Sequence, residues 1–178
     1  ARGQGGWTGP GPSGRAAARP WKPAVAGGKE IETPVHEDVV AAHERIRPWI
    51  HRTPVLTSAT LERMSGAALA FKCENLQQAG AFKARGAGNA VLGLPDDAAA
   101  RGVATHSSGN HGAALCWAAA RRGIAATVVM PAGASRAKAR AVEAYGGTIV
   151  TCEPTLEARE RTLAEVIARS GASFVHPY

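Results

Sequence analysis

Two short stretches hold the residue types that do chemistry. One runs Thr105-His106-Ser107-Ser108-Gly109-Asn110-His111-Gly112, the other Gly80-Ala81-Phe82-Lys83-Ala84-Arg85-Gly86-Ala87. In the first, an apolar run ends at His106, small polar residues follow, and an Ala-rich helical pattern begins near Asn110. A helix start leaves four backbone N–H groups without intrahelical partners, and the helix dipole favours an anion there. Ser107, Ser108 and Gly109 let the backbone come close to a ligand, so this stretch predicts a carboxylate or phosphate site. The competing reading makes Ser108 an N-cap and Gly109 a turn residue, both serving the fold alone. In the second stretch Lys83 is an amine nucleophile toward a carbonyl or aldehyde if it sits in a pocket, and a solvated charge if it does not. Phe82 is then either a wall of that pocket or core.

The elements that must position these residues are legible from period and punctuation. Val39, Val40, Ala42, His43, Ile46 and Ile50 recur at helical spacing and predict a helix over His36–Ile50, broken near Pro48 and Pro54. Pro54–Ser58 reads as extended, Ala59–Ser65 as a short helix closed by Gly66, and Ala67–Cys73 as a strand. Helix and strand then alternate. Helices are expected at Ala84–Leu94, Asn110–Arg122, Ser135–Tyr145 and Leu156–Ser170. Strands are expected at Gly102–His106, Ala126–Met130, Thr148–Cys152 and Ala172–Val175. This alternation implies a parallel sheet covered by helices, the α/β class, with no internal repeat. Residues 1–33 are rich in Gly, Pro, Ala and Arg, lack apolar periodicity and read as a disordered leader or extension. Their Arg content suggests a transit peptide, but Ser13 is their single serine and Pro and Gly oppose an amphipathic helix. A tag, a mistranslated extension or a cut from a longer chain is the better expectation.

Together the two motifs are specific. Lys83 and Ser108 lie 25 residues apart, with one helix and one strand expected between them. The pair resembles the Ser/Thr-Phe-Lys-x-Arg-Gly-Ala and Ser-x-Gly-Asn-His motifs of the serine/threonine dehydratase and serine racemase family, which are fold-type-II pyridoxal-phosphate (PLP) enzymes. The runs from Ala42 to Ser58, Glu74 to Gln77, Ala126 to Pro131 and Val175 to Tyr178 are similar to family landmarks as well. The resemblance covers about residues 36–178. Cysteine synthases and threonine synthases share the fold, but the Ser108–His111 run and the His176-Pro177-Tyr178 ending favour the dehydratase branch.

The resemblance implies a role for each of these side chains. Lys83 forms the Schiff base with PLP and then shuttles the Cα proton. Phe82 packs near the ring, and Asn110 bonds the cofactor's 3′-oxygen. Ser107, Asn110 and His111 bind the substrate carboxylate, at the anion site already read from the residues. Ser108 takes the position where racemases of the family carry serine, on the ring face opposite the lysine. Many threonine dehydratases have alanine there. One base suffices for elimination, whereas racemisation needs a second proton carrier, so Lys83 and Ser108 are the expected catalytic residues. The expected reaction is dehydration of serine or threonine to a 2-keto acid and ammonia, with serine racemisation as a related activity. By the same resemblance, residues 34–100 correspond to the N-terminal part of the large PLP domain and 101–178 to a complete small α/β domain. Ala81 departs from the usual Ser or Thr and removes one hydroxyl near the cofactor. The Gly-rich phosphate loop, the group facing the pyridine nitrogen and the divalent-cation ligands belong to a half of the family that these 178 residues do not contain. The isolated chain is therefore expected to bind PLP weakly, release no ammonia and tend to associate. Two rivals stay open: a catalytically silent fragment, and an amino-acid-binding module using only the Ser107–His111 site. Absorbance after PLP addition separates them from the enzyme.

Composition removes other classes. Of the net charge of +7, Arg2, Arg15, Arg19, Lys22 and Lys29 fall in residues 1–29, which hold no acid; beyond them basic residues alternate with acids, as in Glu157, Arg159, Glu160, Arg161 and Glu165, and aromatics are only 5%. Nucleic-acid binding is not expected. No apolar run is long enough to span a membrane. Cys73, Cys116 and Cys152 are widely spaced, so they read as small buried thiols of a reducing cytoplasm rather than disulfides or a metal knuckle. The six histidines show no metal-ligand spacing. Gly86-Ala87-Gly88-Asn89-Ala90-Val91 mimics a dinucleotide fingerprint but follows no strand. A small amino acid is the expected partner, and a homodimer the expected assembly at full length.

Overall fold

The computed structural model describes residues 33–177; the leader expected over residues 1–33 lies outside them but for Thr33, as does Tyr178. The helices are α1 (His36–Ile46), α2 (Ala59–Ser65), α3 (Lys83–Leu92), α4 (Asp96–Ala99), α5 (Asn110–Arg122), α6 (Arg136–Ala144) and α7 (Leu156–Ser170). The strands are β1 (Val55–Leu56), β2 (Phe71–Lys72), β3 (Val103–His106), β4 (Ala126–Pro131), β5 (Thr148–Cys152) and β6 (Ser173–Phe174). β3 to β6 form one parallel sheet in the order β5-β4-β3-β6, with Val103 opposite Ala126 and Ser173, and Thr127 opposite Thr148. β1 and β2 pair antiparallel in a separate ribbon, and its apolar residues Val55, Leu56 and Phe71 are exposed.

The period-2 alternation of β3 and β4 divides the core between two faces. Val103, Val128 and Met130 pack with Leu115, Trp117 and Val142 of α5 and α6, while Ala104 and Val129 pack with Leu163 and Val166 of α7. Handedness accounts for the split. The chain steps from β3 to β4 to β5 in one direction and then crosses back over both to β6. Right-handed crossovers place helices of opposite steps on opposite faces. Side-chain caps and left-handed glycines fix the helix ends. The Thr155 hydroxyl accepts from Ala158 N–H at 3.1 Å at the start of α7. Gly123 (φ 71°) and Gly171 (φ 68°) close α5 and α7 in a conformation costly for other residues.

Several expectations need correction. α1 stops at Ile46 instead of Ile50, because Pro48 has no N–H to extend the ladder and Trp49 N–H turns back to Ile46 O at 2.9 Å. The strand expected over Ala67–Cys73 shrinks to Phe71–Lys72, since its ladder pairs only with two-residue β1. The helix expected from Ala84 starts at Lys83 and ends at Leu92, and α4 comes after it, behind Pro95. Two helices, not one, therefore separate Lys83 from β3; four residues of α4 are too few to show a period. Only Cys116 is buried, and burial pushes its thiol up to about 12, while Cys73 and Cys152 are half-buried. The fingerprint mimic lies inside α3, where Gly88 lets the Trp117 ring approach: a Cβ there would meet Trp117 Cζ3 at 3.3 Å.

The corner between α5, α6 and β5 leaves no room at Gly147, where a Cβ would press on Cys116 Sγ and lie 2.8 Å from Val142 Cγ1. Gly147→Ala should cost about 1–3 kcal/mol of stability, read as a lower urea midpoint at unchanged slope. Adding Cys116→Ala should recover part of the loss. An unchanged midpoint in the single variant would show that this corner is loosely packed.

Candidate active site

The loop after β3 is built around the Ser107 hydroxyl. Ser107 Oγ accepts from the N–H of Gly109 and of Gly112, each at 3.2 Å. Gly109 is the N-cap of α5 and has no side chain to cap with, so Ser107 fills that role from two residues upstream. Of the first N–H groups of α5, those of Asn110 and His111 remain for an anion. No acid stands in the first turn of α5 to compete for them. The N-cap role read for Ser108 falls to its neighbours; its own side chain is exposed and hydrogen-bonds to no described residue. Asn110 is exposed and His111 is buried.

The strand order reverses between β3 and β6, and in open α/β sheets ligands bind outside the carboxyl ends of strands at such a switch point. The loop from Ser107 to Asn110 leaves the end of β3, and Val175–Pro177 leaves the end of β6. Lys83, first residue of α3, donates from Nζ to Pro177 O. His111 bonds Val175 O through Nε2 at 3.2 Å. A carbonyl only accepts, so that ring nitrogen carries the proton. Burial holds the His111 pKa below its ordinary value against the Val175 bond, and the charges of Lys83, His176 and His106 push it the same way. Lys83 Nζ lies 5.2 Å from the centroid of the Phe82 ring, which is 59% exposed.

On the other side of β3, His106 stacks on Phe174 with centroids 6.0 Å apart and meets His176 edge-on at 6.4 Å. Burial, then Arg159 and His176, lower the His106 pKa, while Glu160 opposes them. A polar network holds the chain in front of Lys83. Glu74 takes a two-pronged bond from Arg85, at 2.8 Å to each carboxylate oxygen, and Thr53 Oγ1 donates to it at 2.6 Å. Buried Gln77 accepts from His51 N–H and donates to His51 O, both at 2.8 Å. Ala79 turns the chain at φ 54°, a left-handed conformation that costs a non-glycine residue on the order of 1 kcal/mol.

The structure thus gathers Lys83, Phe82 and His111 at the 175–177 segment, with Ser107 and Asn110 in the adjoining loop. Sequence reasoning missed the carbonyls of Val175 and Pro177, which carry no residue-type signal. It also missed the Glu74–Arg85 bond, which joins residues 11 apart across separate elements. Among the described residues no group of three or more His, Cys, Asp or Glu is placed to hold a metal ion, and no helix is long and apolar enough to cross a membrane.

The family described as pyridoxal-phosphate dependent enzyme matches residues 46–178. A β-hydroxyaspartate dehydratase of Paracoccus denitrificans is 58% identical over 82% of this chain and 46% of its own length. A serine racemase of Arabidopsis thaliana is 53% identical over 77% of this chain and 41% of its own. The solved structure of maize serine racemase superimposes with a TM-score of 0.77 at 45% identity, over 78% of this chain and 42% of that one. The chain spans less than half the length of the curated relatives it matches.

The Glu74 bonds predict an acid limb in stability. Its carboxyl pKa is lowered from 4.5 to about 2, mainly by the hydrogen bond from Arg85. The unfolded chain therefore takes up this proton first as pH falls. The contribution is full above pH 4.5 and is lost progressively as pH approaches 2. Glu74→Gln should cost about 2 kcal/mol at pH 7 and flatten the difference between variant and parent below pH 4. Urea titrations at several pH values test this, and a constant gap across that range would remove the ion pair from the account.

Proposed function

The chain belongs to the pyridoxal-phosphate-dependent enzyme family, and on that premise we propose that the protein dehydrates a β-hydroxy amino acid to a 2-keto acid and ammonia, with racemisation as a related activity. Serine and threonine are the first substrates to test, and the likeness to a β-hydroxyaspartate dehydratase adds β-hydroxyaspartate. The observation that carries this reading is convergence: an amine from α3 and the anion loop of α5 meet at one strand-order switch, tied to the same 175–177 segment.

The residues present fit one end of the cofactor. Lys83 offers a primary amine, Phe82 an exposed aromatic face beside it, and Asn110 an exposed amide at the helix start, suited to the 3′-oxygen. When bound, PLP supplies an aldehyde for the amine and an electron sink for charge that develops at Cα. Asn110 and His111 N–H hold the substrate carboxylate, and the Ser107 hydroxyl keeps that loop in shape while the residue lines the same site. Neutral His111 donates to Val175 O and so holds the 175–177 segment against the site. Lys83 Nζ would take the Cα proton and return it to the departing β-hydroxyl, which leaves as water; the resulting enamine would tautomerise to an imine that water hydrolyses to the 2-keto acid and ammonia. Ser108, exposed at the loop tip, is the second proton carrier that racemisation requires.

We read residues 34–100 as part of a large domain and 101–178 as a small one, with α3 against α5 as the joint between them. Exposed apolar side chains before residue 83, among them Val39, Leu56, Met64 and Leu76, support a large domain completed by further chain. A cytoplasmic homodimer is the accompanying proposal.

Borohydride reduction of the PLP-treated full-length protein should tag the peptide holding Lys83, and Lys83→Ala should abolish turnover. Tagging at Lys72 or Lys138 would sink the assignment. Ser108→Ala should suppress racemisation at least about tenfold more than elimination, since only racemisation needs a carrier on the second face. Equal loss of both activities would assign Ser108 to substrate binding or to the fold.

A further inference from the structure

His106 is a buried titratable side chain that the proposed chemistry does not use. It ends β3 on the face turned to α7, where the core is otherwise apolar: Ala104, Val129, Leu163 and Val166. An aliphatic side chain would fill that place without the desolvation cost of an imidazole. The ring contacts show what the imidazole does there. His106 stacks on Phe174 at 6.0 Å, Phe174 meets His176 at 5.2 Å, and His176 returns edge-on to His106 at 6.4 Å. Phe174 and His176 flank Val175, and His176 adjoins Pro177. The carbonyls of Val175 and Pro177 are the ones that take His111 and Lys83. β6 is only two residues long, continued by the bond from Val175 N–H to Ala104 O at 3.0 Å. So short a strand leaves much of the holding to side chains.

We propose that His106 is a positioning residue: through Phe174 and His176 it clamps the 175–177 segment, so that Lys83 and the anion loop of α5 keep their places. Its catalytic meaning rests on Lys83 as the cofactor's amine, as proposed above. The clamp works while the ring is neutral. Arg159 and Glu160 of α7, His176 beside it and His111 of α5 are the charged and titratable groups that act on it or feel it. Burial, then Arg159 and His176, disfavour the imidazolium and Glu160 favours it, which leaves the pKa below the ordinary 6.5. A released segment therefore takes up the proton first as pH falls. The clamp is complete above pH 6.5 and weakens progressively below it.

Two measurements on the full-length protein test this, one of them independent of the cofactor. His106→Leu fills the same place without a ring, and His106→Phe keeps a ring that carries no charge. Before PLP is added, hydrogen exchange at the Val175 amide should be about tenfold faster in His106→Leu than in the parent, measured against amides of β4. His106→Phe should restore slow exchange. In the parent, exchange at Val175 relative to its intrinsic rate should quicken between about pH 7 and about pH 5, and this increase should shrink in His106→Phe. With PLP added, absorbance titration should show about tenfold weaker binding in His106→Leu and parent-like binding in His106→Phe. Parent-like exchange in His106→Leu overturns the proposal, as does a loss that His106→Phe fails to restore. An acid increase unchanged in His106→Phe also overturns it. If borohydride tags Lys83 and PLP affinity ignores His106→Leu, the clamp does not position the amine and the proposal fails. If exchange responds as expected but the tag falls on another lysine, the clamp stands and the reading of Lys83 fails.

Discussion

Small side chains let α3 lie directly on α5. Ala84, Ala87, Gly88 and Val91 on one helix meet Ala114 and Trp117 on the other, and all of them are buried. Because α3 begins at Lys83 and α5 at Asn110, this contact sets how far the amine sits from the anion loop. A Cβ at Gly88 would crowd the Trp117 ring at 3.3 Å and touch Ile46 Cγ2 at 3.5 Å, so even one methyl would press on α5. The chemistry thus depends on packing that contains no reactive group. The same contact crosses residue 100, so the proposed joint between the two domains is also the element that aligns the site.

The second dependence is on the segment after β6. Its carbonyls receive Lys83 from one helix start and His111 from another. That double tie explains why a buried histidine is useful there. Burial makes a charged His111 costly, and the Lys83 ammonium near it would repel the added charge. A neutral ring donating to a carbonyl avoids both. Positive potential at the crevice then comes from Lys83 and the helix dipole, where the proposed function would place a carboxylate.

Much of the framework was readable from residues alone. α5, β5 and α7 have the bounds that period and punctuation predict, because Gly123, the Gly146-Gly147 pair and Gly171 end their helices sharply. Elements whose limits depend on distant partners were not readable. β2 extends only as far as β1 can pair with it, and α1 ends on a missing N–H rather than on a loss of periodicity. Within the site, Lys83, Phe82 and His111 announced themselves by motif, whereas the Pro177 and Val175 carbonyls that receive Lys83 and His111 did not. They come from a segment 94 and 64 residues further along the chain, and only the pairing of β6 beside β3 brings them there. The capping hydroxyl that the competing reading put at Ser108 lies at Ser107, a shift of one position that leaves Ser108 exposed and uncommitted.

The helix starts themselves separate scaffold from site. α1, α2, α4 and α7 each carry an acid in the first turn: Glu37 and Asp38, Glu62, Asp96 and Asp97, and Glu157. These satisfy the helix dipole in the ordinary way. α3, α5 and α6 carry none. Their first turns hold Lys83 and Arg85, His111, and Arg136 and Lys138, and all three open on the crevice at the ends of β3, β4 and β6. Each omitted acid costs its helix on the order of half a kcal/mol, and each cation added at α3 and α6 about as much again. A fold selected for stability alone would not place these departures at a single edge of one sheet. On the proposed function, the anion that steadies α5 is the substrate carboxylate, supplied from outside the chain. Binding it therefore steadies the helix that holds it, so occupancy of the crevice and rigidity of its walls should rise together.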